Sequence, residues 1–387
     1  MNDEAPPEES STGERLREVA PLFLKLGFIA FGGPAAHIAM MRGEVVDRRQ
    51  WMTEAEFLDL LGASNLIPGP TSTEMAIYLG YVRAGPWGLV AAGTLFILPA
   101  MLIVLLFAWA YVRFGSTPDV AWLLYGIKPV IIAVVLQALW NLGRAAMTGA
   151  IPIVLAAAVV VLYFVGLSPL ILLFGAAVLL LAVRLAWKPK TPAVGLIPFL
   201  SSVRPALPLT LHDSHSLLTL FLTFLKIGAV LYGSGYVLLA FLTTDFVGGL
   251  HWLTERQLID AVAVGQVTPG PVFTTATFIG YLVGGVAGSV AATVGIFLPG
   301  FAFIPFMGHM LRLVERHQAA KAFLDGASAA ALGLIAAVAL QLAGTTLTGL
   351  PAAIAAVVAI VVMWRWALAG PALVAGGAAA GLAGLIA

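Results

Sequence analysis

The chain has 387 residues, is 60% hydrophobic, only 10% charged, and has a mean hydropathy of +1.00. Too few charges are present to cover a soluble core of this size, since ordinary soluble domains are about 25% charged. A net charge of +1 and no basic run with interleaved aromatics exclude nucleic acid as a partner. The absence of cysteine excludes disulfides and thiolate metal sites.

Residues 1–19 are polar and acidic, with Pro and Ser. They lack the charged start, short apolar core and small-residue cleavage site of a signal peptide, and read as a disordered tail entering an interfacial helix. Apolar stretches of about 20 residues then recur to the C-terminus, the signature of an all-α polytopic membrane protein. Full spans are predicted at 20–41, 87–112, 124–143, 150–166 and 168–187. A polar stretch at 188–214 reads as a linker on the cytoplasmic side. Further spans follow at 216–242, 286–311, 326–344, 349–364 and 368–386.

Residues 56–83 are predicted as a re-entrant hairpin rather than a span. They contain Asn65-Leu66-Ile67-Pro68-Gly69-Pro70-Thr71-Ser72-Thr73. Two prolines around a glycine cannot continue a helix, and the second suits the first turn of a new one. The new helix would start at half membrane depth, with free amides and a positive dipole end. That is an anion site in prospect, with Thr71, Ser72 and Thr73 adding hydroxyl donors.

The second part of the chain repeats the first. Lys25, Trp51, Asp59 and Pro68-Gly69-Pro70 recur 201 positions later as Lys226, Trp252, Asp260 and Pro269-Gly270-Pro271. After one deletion the offset is 200, and Gly80-Tyr81 meets Gly280-Tyr281. The organisation is therefore a tail at 1–19, repeats at 20–187 and 215–387, and the linker between them. Gln266, Thr274 and Thr275 supply the polar groups of the second turn. The loop at 42–55 is rich in Arg where its counterpart is poor, and the loop at 312–325 is basic where its counterpart is not. Equivalent loops thus prefer opposite sides, as in inverted repeats. Five crossings per half place the tail outside and the loop at 42–55, the linker and the 312–325 loop inside.

Ionisable groups inside spans read as functional. Lys25 and Lys226 are candidate partners for an anion. Asp59 and Asp260 either pair with those lysines or neutralise them for structure. Glu74 and Lys128 are further candidates for charge coupling. No cofactor or metal motif is present.

The paired Pro-Gly-Pro turns, the Phe31-Gly32-Gly33-Pro34 opening and the Gly-Tyr after each turn resemble the chromate ion transporter family, in its two-domain branch. The resemblance spans nearly the whole chain outside 1–15 and 188–214. It implies export of chromate across the inner membrane and chromate resistance. It also implies that Gly32, Gly33, Asn65, Pro68, Gly69, Pro70, Gln266, Pro269, Gly270 and Pro271 are motif positions. The second half departs from the opening motif, reading Tyr232-Gly233-Ser234-Gly235. The expected partners are chromate or sulfate, the lipid bilayer and, as an open option, a second copy. Sulfate uptake or exchange is the alternative carrier reading. A membrane enzyme acting on a lipid-linked substrate, with Asp59, Glu74 and Asp260, is the alternative from another class.

Overall fold

The protein is described by a computed structural model over residues 11–31, 33–64, 67–115, 117–147, 149–187, 216–231, 235, 237–308, 317–347, 349–366 and 370–384. No strand occurs among these residues. The first half comprises α1 (Thr12–Ile29), α2 (Pro34–Arg42), α3 (Glu54–Ser64), α4 (Thr71–Phe114), α5 (Pro118–Ala146), α6 (Ala150–Phe164) and α7 (Pro169–Trp187). The second half repeats the series as α8 (Leu217–Val230), α9 (Leu238–Leu242), α10 (Glu255–Val267), α11 (Thr275–Phe303), α12 (Gln318–Thr346), α13 (Leu350–Trp366) and α14 (Gly370–Leu382).

The helix α4 is two arms joined by a sharp turn. Ala84 and Gly85 leave the helical region, and Gly85 takes φ +64°, which glycine tolerates without penalty. A Cβ built on Gly80 would stand 2.3 Å from the Gly88 carbonyl, so the arms fold back on each other in backbone contact. The second half repeats this at Gly284-Gly285, with Gly280 against Gly288. Residues 54–83 therefore enter and return, with the Pro-Gly-Pro turn at the tip, as the interrupted helix pattern predicts. The arm from Pro86 onward crosses.

The segment expected as a first full span, 20–41, is instead an out-and-back pair. Positive φ at Gly33 (+80°) breaks the chain between α1 and α2. Glu18 then pairs with Arg83 at 2.6 Å, Lys25 with Glu44 at 2.7 Å, and Trp51 lies under Arg83. The chain has thus come back to where α1 began. Segment 216–242 behaves alike, with Lys226 on Asp245 and Phe224 on Phe246. In the first half, Gly33 at the break and Pro34 after it, which has no backbone N–H, outweigh an apolar run that is long enough to span.

The halves are inverted. Along the crossing arm of α4, Ala100 meets Gly270 and Tyr111 meets Phe278. The arm leaving the second Pro-Gly-Pro turn therefore runs with the crossing arm of the first half. The arm leaving the first turn runs against it. One face of the protein carries the Ala84-Gly85 turn, and the opposite face carries Gly284-Gly285. We call these the first and second face. Arg15 lines a cleft with Trp51 and Arg83, so the start of α1 shares the first face with the 42–55 loop, against the expectation that the tail lies opposite. Arg184 pairs with Asp325 near the start of α12, on the first face, whereas Leu217 packs at Gly284 on the second. Arg184 and Leu217, which flank the linker, thus stand on opposite faces. The linker itself lies outside the described residues.

The two halves are interwoven. Each lends its last helices to the other: α14 packs on α5, and α7 and α6 on α12. Small residues permit the approach. Gly126 lies against Gly377 and Gly381, and at the equivalent place Gly326 lies against Ala176 and Ala177. The largest core cluster runs through both halves and contains Phe224, Phe241, Phe273 and Phe278.

Candidate functional site

Each helix that enters the protein ends near its centre with unpaired carbonyls, and each returning helix begins there with unpaired amides. The structure joins these ends across the two halves. The Gly69 amide donates to the Leu231 carbonyl at 2.7 Å, and the Gly270 amide donates to the Ala30 carbonyl at 2.8 Å. Gly69 and Gly270 are repeat partners, as are Ala30 and Leu231. The bonds are one interaction made twice about a two-fold axis. Both turns are fully buried. The glycine amides expected as anion donors are therefore already occupied, and they fasten the halves together.

The remaining polar groups collect on the first half of this crossing. The helix α2 begins at Pro34 and α4 at Thr71, and their first turns lie side by side. His37 Nδ1 and Ser72 Oγ are 3.2 Å apart, with both residues buried. His37 Nε2 is buried and has no hydrogen-bond partner among the described residues. Thr73 Oγ1 has no hydrogen-bond partner among the described residues. Two helix first turns, one imidazole and the Ser72 hydroxyl thus meet, with the buried Thr73 hydroxyl next in the chain, a set of donors suited to an anion.

Glu74 complicates this set. It is 0% exposed, and neither carboxylate oxygen has a hydrogen-bond partner among the described residues. It packs against Gly69, where a Cβ would meet its Oε1 at 2.2 Å, and against Gly300. An unpaired acid here opposes a bound anion unless it carries a proton.

On the second half, Thr274 Oγ1 donates to the Pro271 carbonyl and Thr275 Oγ1 to the Val272 carbonyl. These hydroxyls are spent on their own turn. Thr71 and Gln266 are partly exposed beside the turns. Gly33 caps α2, while Gly32 and Asn65 lie outside the described residues. His37 is the residue that sequence reasoning missed. Its signal was its place in the first turn after Gly33-Pro34, where a side chain sits beside the helix start.

The membrane lysines are paired differently from expectation. Lys25 pairs with Glu44 and Lys226 with Asp245, rather than with Asp59 and Asp260. Both acids lie in π-turns, Gly43–Arg48 and Thr243–Gly249, which widen the helix and bring them back over the lysines. Asp260 instead holds Lys128 at 3.5 Å and accepts a hydrogen bond from Tyr111 at 2.9 Å. Asp59 is exposed. At the first face, Arg42 donates to Glu54 at 2.8 Å and holds its carboxyl below the usual range.

Comparison with known proteins adds to this geometry. A family described as Chromate transporter matches residues 17–181 and 218–384. The chain is similar to a chromate transport protein of Cupriavidus metallidurans, 34% identical over 99% of this chain and 98% of that one. It is similar to a probable chromate transport protein of Synechococcus elongatus, 31% identical over 90% of each. A chromate transport protein of Pseudomonas aeruginosa is 34% identical over 85% of this chain and 81% of its own. No solved structure matches.

Proposed function

Because the chain belongs to the chromate transporter family, we propose that it is a secondary carrier that moves chromate out of the cell across the inner membrane and so confers resistance. The observation that carries this reading is the reciprocal pair Gly69–Leu231 and Gly270–Ala30. It gathers the chain breaks of two inverted repeats at one buried point, the arrangement in which carriers bind substrate. The anion would sit at the start of α2 and α4, held by His37, Ser72 and Thr73 with the first amides of both helices. The Pro-Gly-Pro turns would be the hinge between halves rather than the donors.

Orientation follows from charge. Arg15, Arg42, Arg48, Arg49, Arg83 and Arg184 belong to the first face, while Arg113 and Arg256 belong to the second. The basic face would be cytoplasmic. With the cell interior negative, moving an uncompensated dianion outward gains about 4.6 kcal/mol per 100 mV. Membrane potential would then favour export, by half as much if one proton travels with the dianion.

Glu74 favours a second element, proton coupling. An ionised, unpaired carboxylate beside the anion would repel it, so anion entry and proton uptake on Glu74 would go together. The test is flux of labelled chromate into inside-out vesicles, with an imposed potential and with competing sulfate. Potential-driven uptake that sulfate leaves unchanged is expected. Sulfate movement in preference to chromate would replace the substrate, and no movement of either anion would end the carrier reading.

A further inference from the structure

Inverted repeats with the same fold need not occupy the same surroundings, and here α3 and α10 do not. Positions that correspond by sequence differ sharply in burial. Leu58 is 54% exposed, whereas Ile259, its counterpart, is 4% exposed. Asp59 is exposed, whereas Asp260 is 1% exposed. The helix α10 is docked on its neighbours at the second face. Asp260 joins Lys128 and Tyr111. Glu255, at the first turn of α10, accepts a hydrogen bond from Gln341 at 2.9 Å, and Gln341 accepts one from Tyr163 at 3.1 Å. Glu54, the counterpart of Glu255, reaches no such partner and pairs with Arg42 instead.

The groove that would receive α3 is present at the first face. An open surface depression of about 440 Å³ is lined by Gln137, Trp140, Asn141, Met363 and Trp364. At the offset of 200, Asn141 corresponds to Gln341, Met363 to Tyr163 and Trp364 to Phe164. The depression is thus the counterpart of the place where the second half holds Glu255. It sits between α5 and α13 as that place sits between α12 and α6.

We infer that α3 is a moving gate, and that the carrier alternates between this state and one in which α3 docks into the α5–α13 groove, Glu54 meets Asn141, and α10 releases. The state described is closed at the second face and open at the first. Asp59 supports this reading of the open side. An ionised side chain on lipid is costly, whereas one lining a water-filled vestibule is not. The resting preference follows from chemistry as well. Lys128 gives Asp260 a cation, but Ser328 stands at the equivalent place for Asp59. The α10-docked state has a charge pair that the α3-docked state lacks. This inference rests on the carrier reading only in requiring two states.

The chain has no cysteine, so introduced pairs are unambiguous. Two double variants, Glu255→Cys/Gln341→Cys and Glu54→Cys/Asn141→Cys, are oxidised in membranes without substrate, with the four single variants as controls. The first pair should cross-link in most molecules at once. The second should cross-link more slowly, as molecules visit the other state. Either cross-link should abolish chromate flux, and reduction followed by washing should restore it. A chain carrying all four cysteines should form one bond or the other, not both. Failure of the second pair to cross-link, while the first does and the single variants transport normally, would overturn the gate. Both bonds in one molecule would overturn it equally. Cross-linking of both pairs with no chromate movement in the unmodified protein would uphold the gate and remove the substrate assignment instead.

Discussion

Glu74 is the residue on which the coupling of transport turns. Gly69 and Gly300, against which it packs, carry no charge, and neither carboxylate oxygen has a hydrogen-bond partner among the described residues. The penalty for such an ion is several kcal/mol in real proteins. A dianion arriving at His37 and Ser72 raises that penalty further. Lower pH favours the protonated acid, removes the repulsion and should raise chromate flux. Higher pH should lower it. The variant Glu74→Gln keeps the shape without the charge and should transport at a rate that no longer changes with pH. A pH profile in that variant matching the parent would remove Glu74 from coupling. The sequence displayed this residue as an ionisable group inside an apolar segment. It could not display burial, nor the partners of Lys25 and Lys226. Glu44 and Asp245 lie in π-turns, and a π-turn leaves no mark in hydrophobic periodicity.

At the scale of the element, most of the fold was legible. The predicted spans 124–143, 150–166 and 168–187 correspond to α5, α6 and α7, because long apolar runs bounded by Gly, Pro and Ser admit few alternatives. The first helix of each half was misread as a full span. In the first half the break takes a positive φ at Gly33, a local signal that the long apolar run masks, and the Ala30 carbonyl before it is bonded to Gly270 of the other half, which no local pattern reveals. The Gly284-Gly285 pair makes the left-handed turn of the second half, at Gly285 (φ +60°). The packing role belongs to Gly280 and Gly288. A Cβ on Gly280 would lie 2.3 Å from the Gly288 carbonyl and 2.8 Å from Ala292 Cβ, and backbone cannot give way there. Gly280→Ala should therefore cost about 1–3 kcal/mol through forced separation of the arms. Gly344→Ala, in a helix with open space around it, should be neutral or gain up to about 1 kcal/mol. Thermal unfolding in detergent distinguishes them. Equal melting temperatures would mean that the arms are not held by this contact.

For the whole molecule, duplication and inversion were readable from offsets and loop charges. The difference in state between the halves was not, because it lies in which of two equivalent grooves is filled. Charge sets that choice in a way that can be reversed. Lys128 belongs to the first half and pairs with Asp260 of the second. Ser328 occupies the reciprocal place near the path of Asp59. Removing one partner of a buried ion pair costs about 3–5 kcal/mol, and 3 kcal/mol is about a hundredfold in a two-state balance. The double variant Lys128→Ser/Ser328→Lys moves the cation from one groove to the other without altering composition. It should hold α3 docked and α10 released. A cysteine at Leu58 should then lose its reaction with an impermeant maleimide added at the first face. A cysteine at Ile259, now protected, should become reactive from the second face. The parent should show the opposite pattern. If the exchange leaves both reactivities as they were, the Lys128–Asp260 pair does not set the resting state, and the preference must arise from the packing of α10 alone.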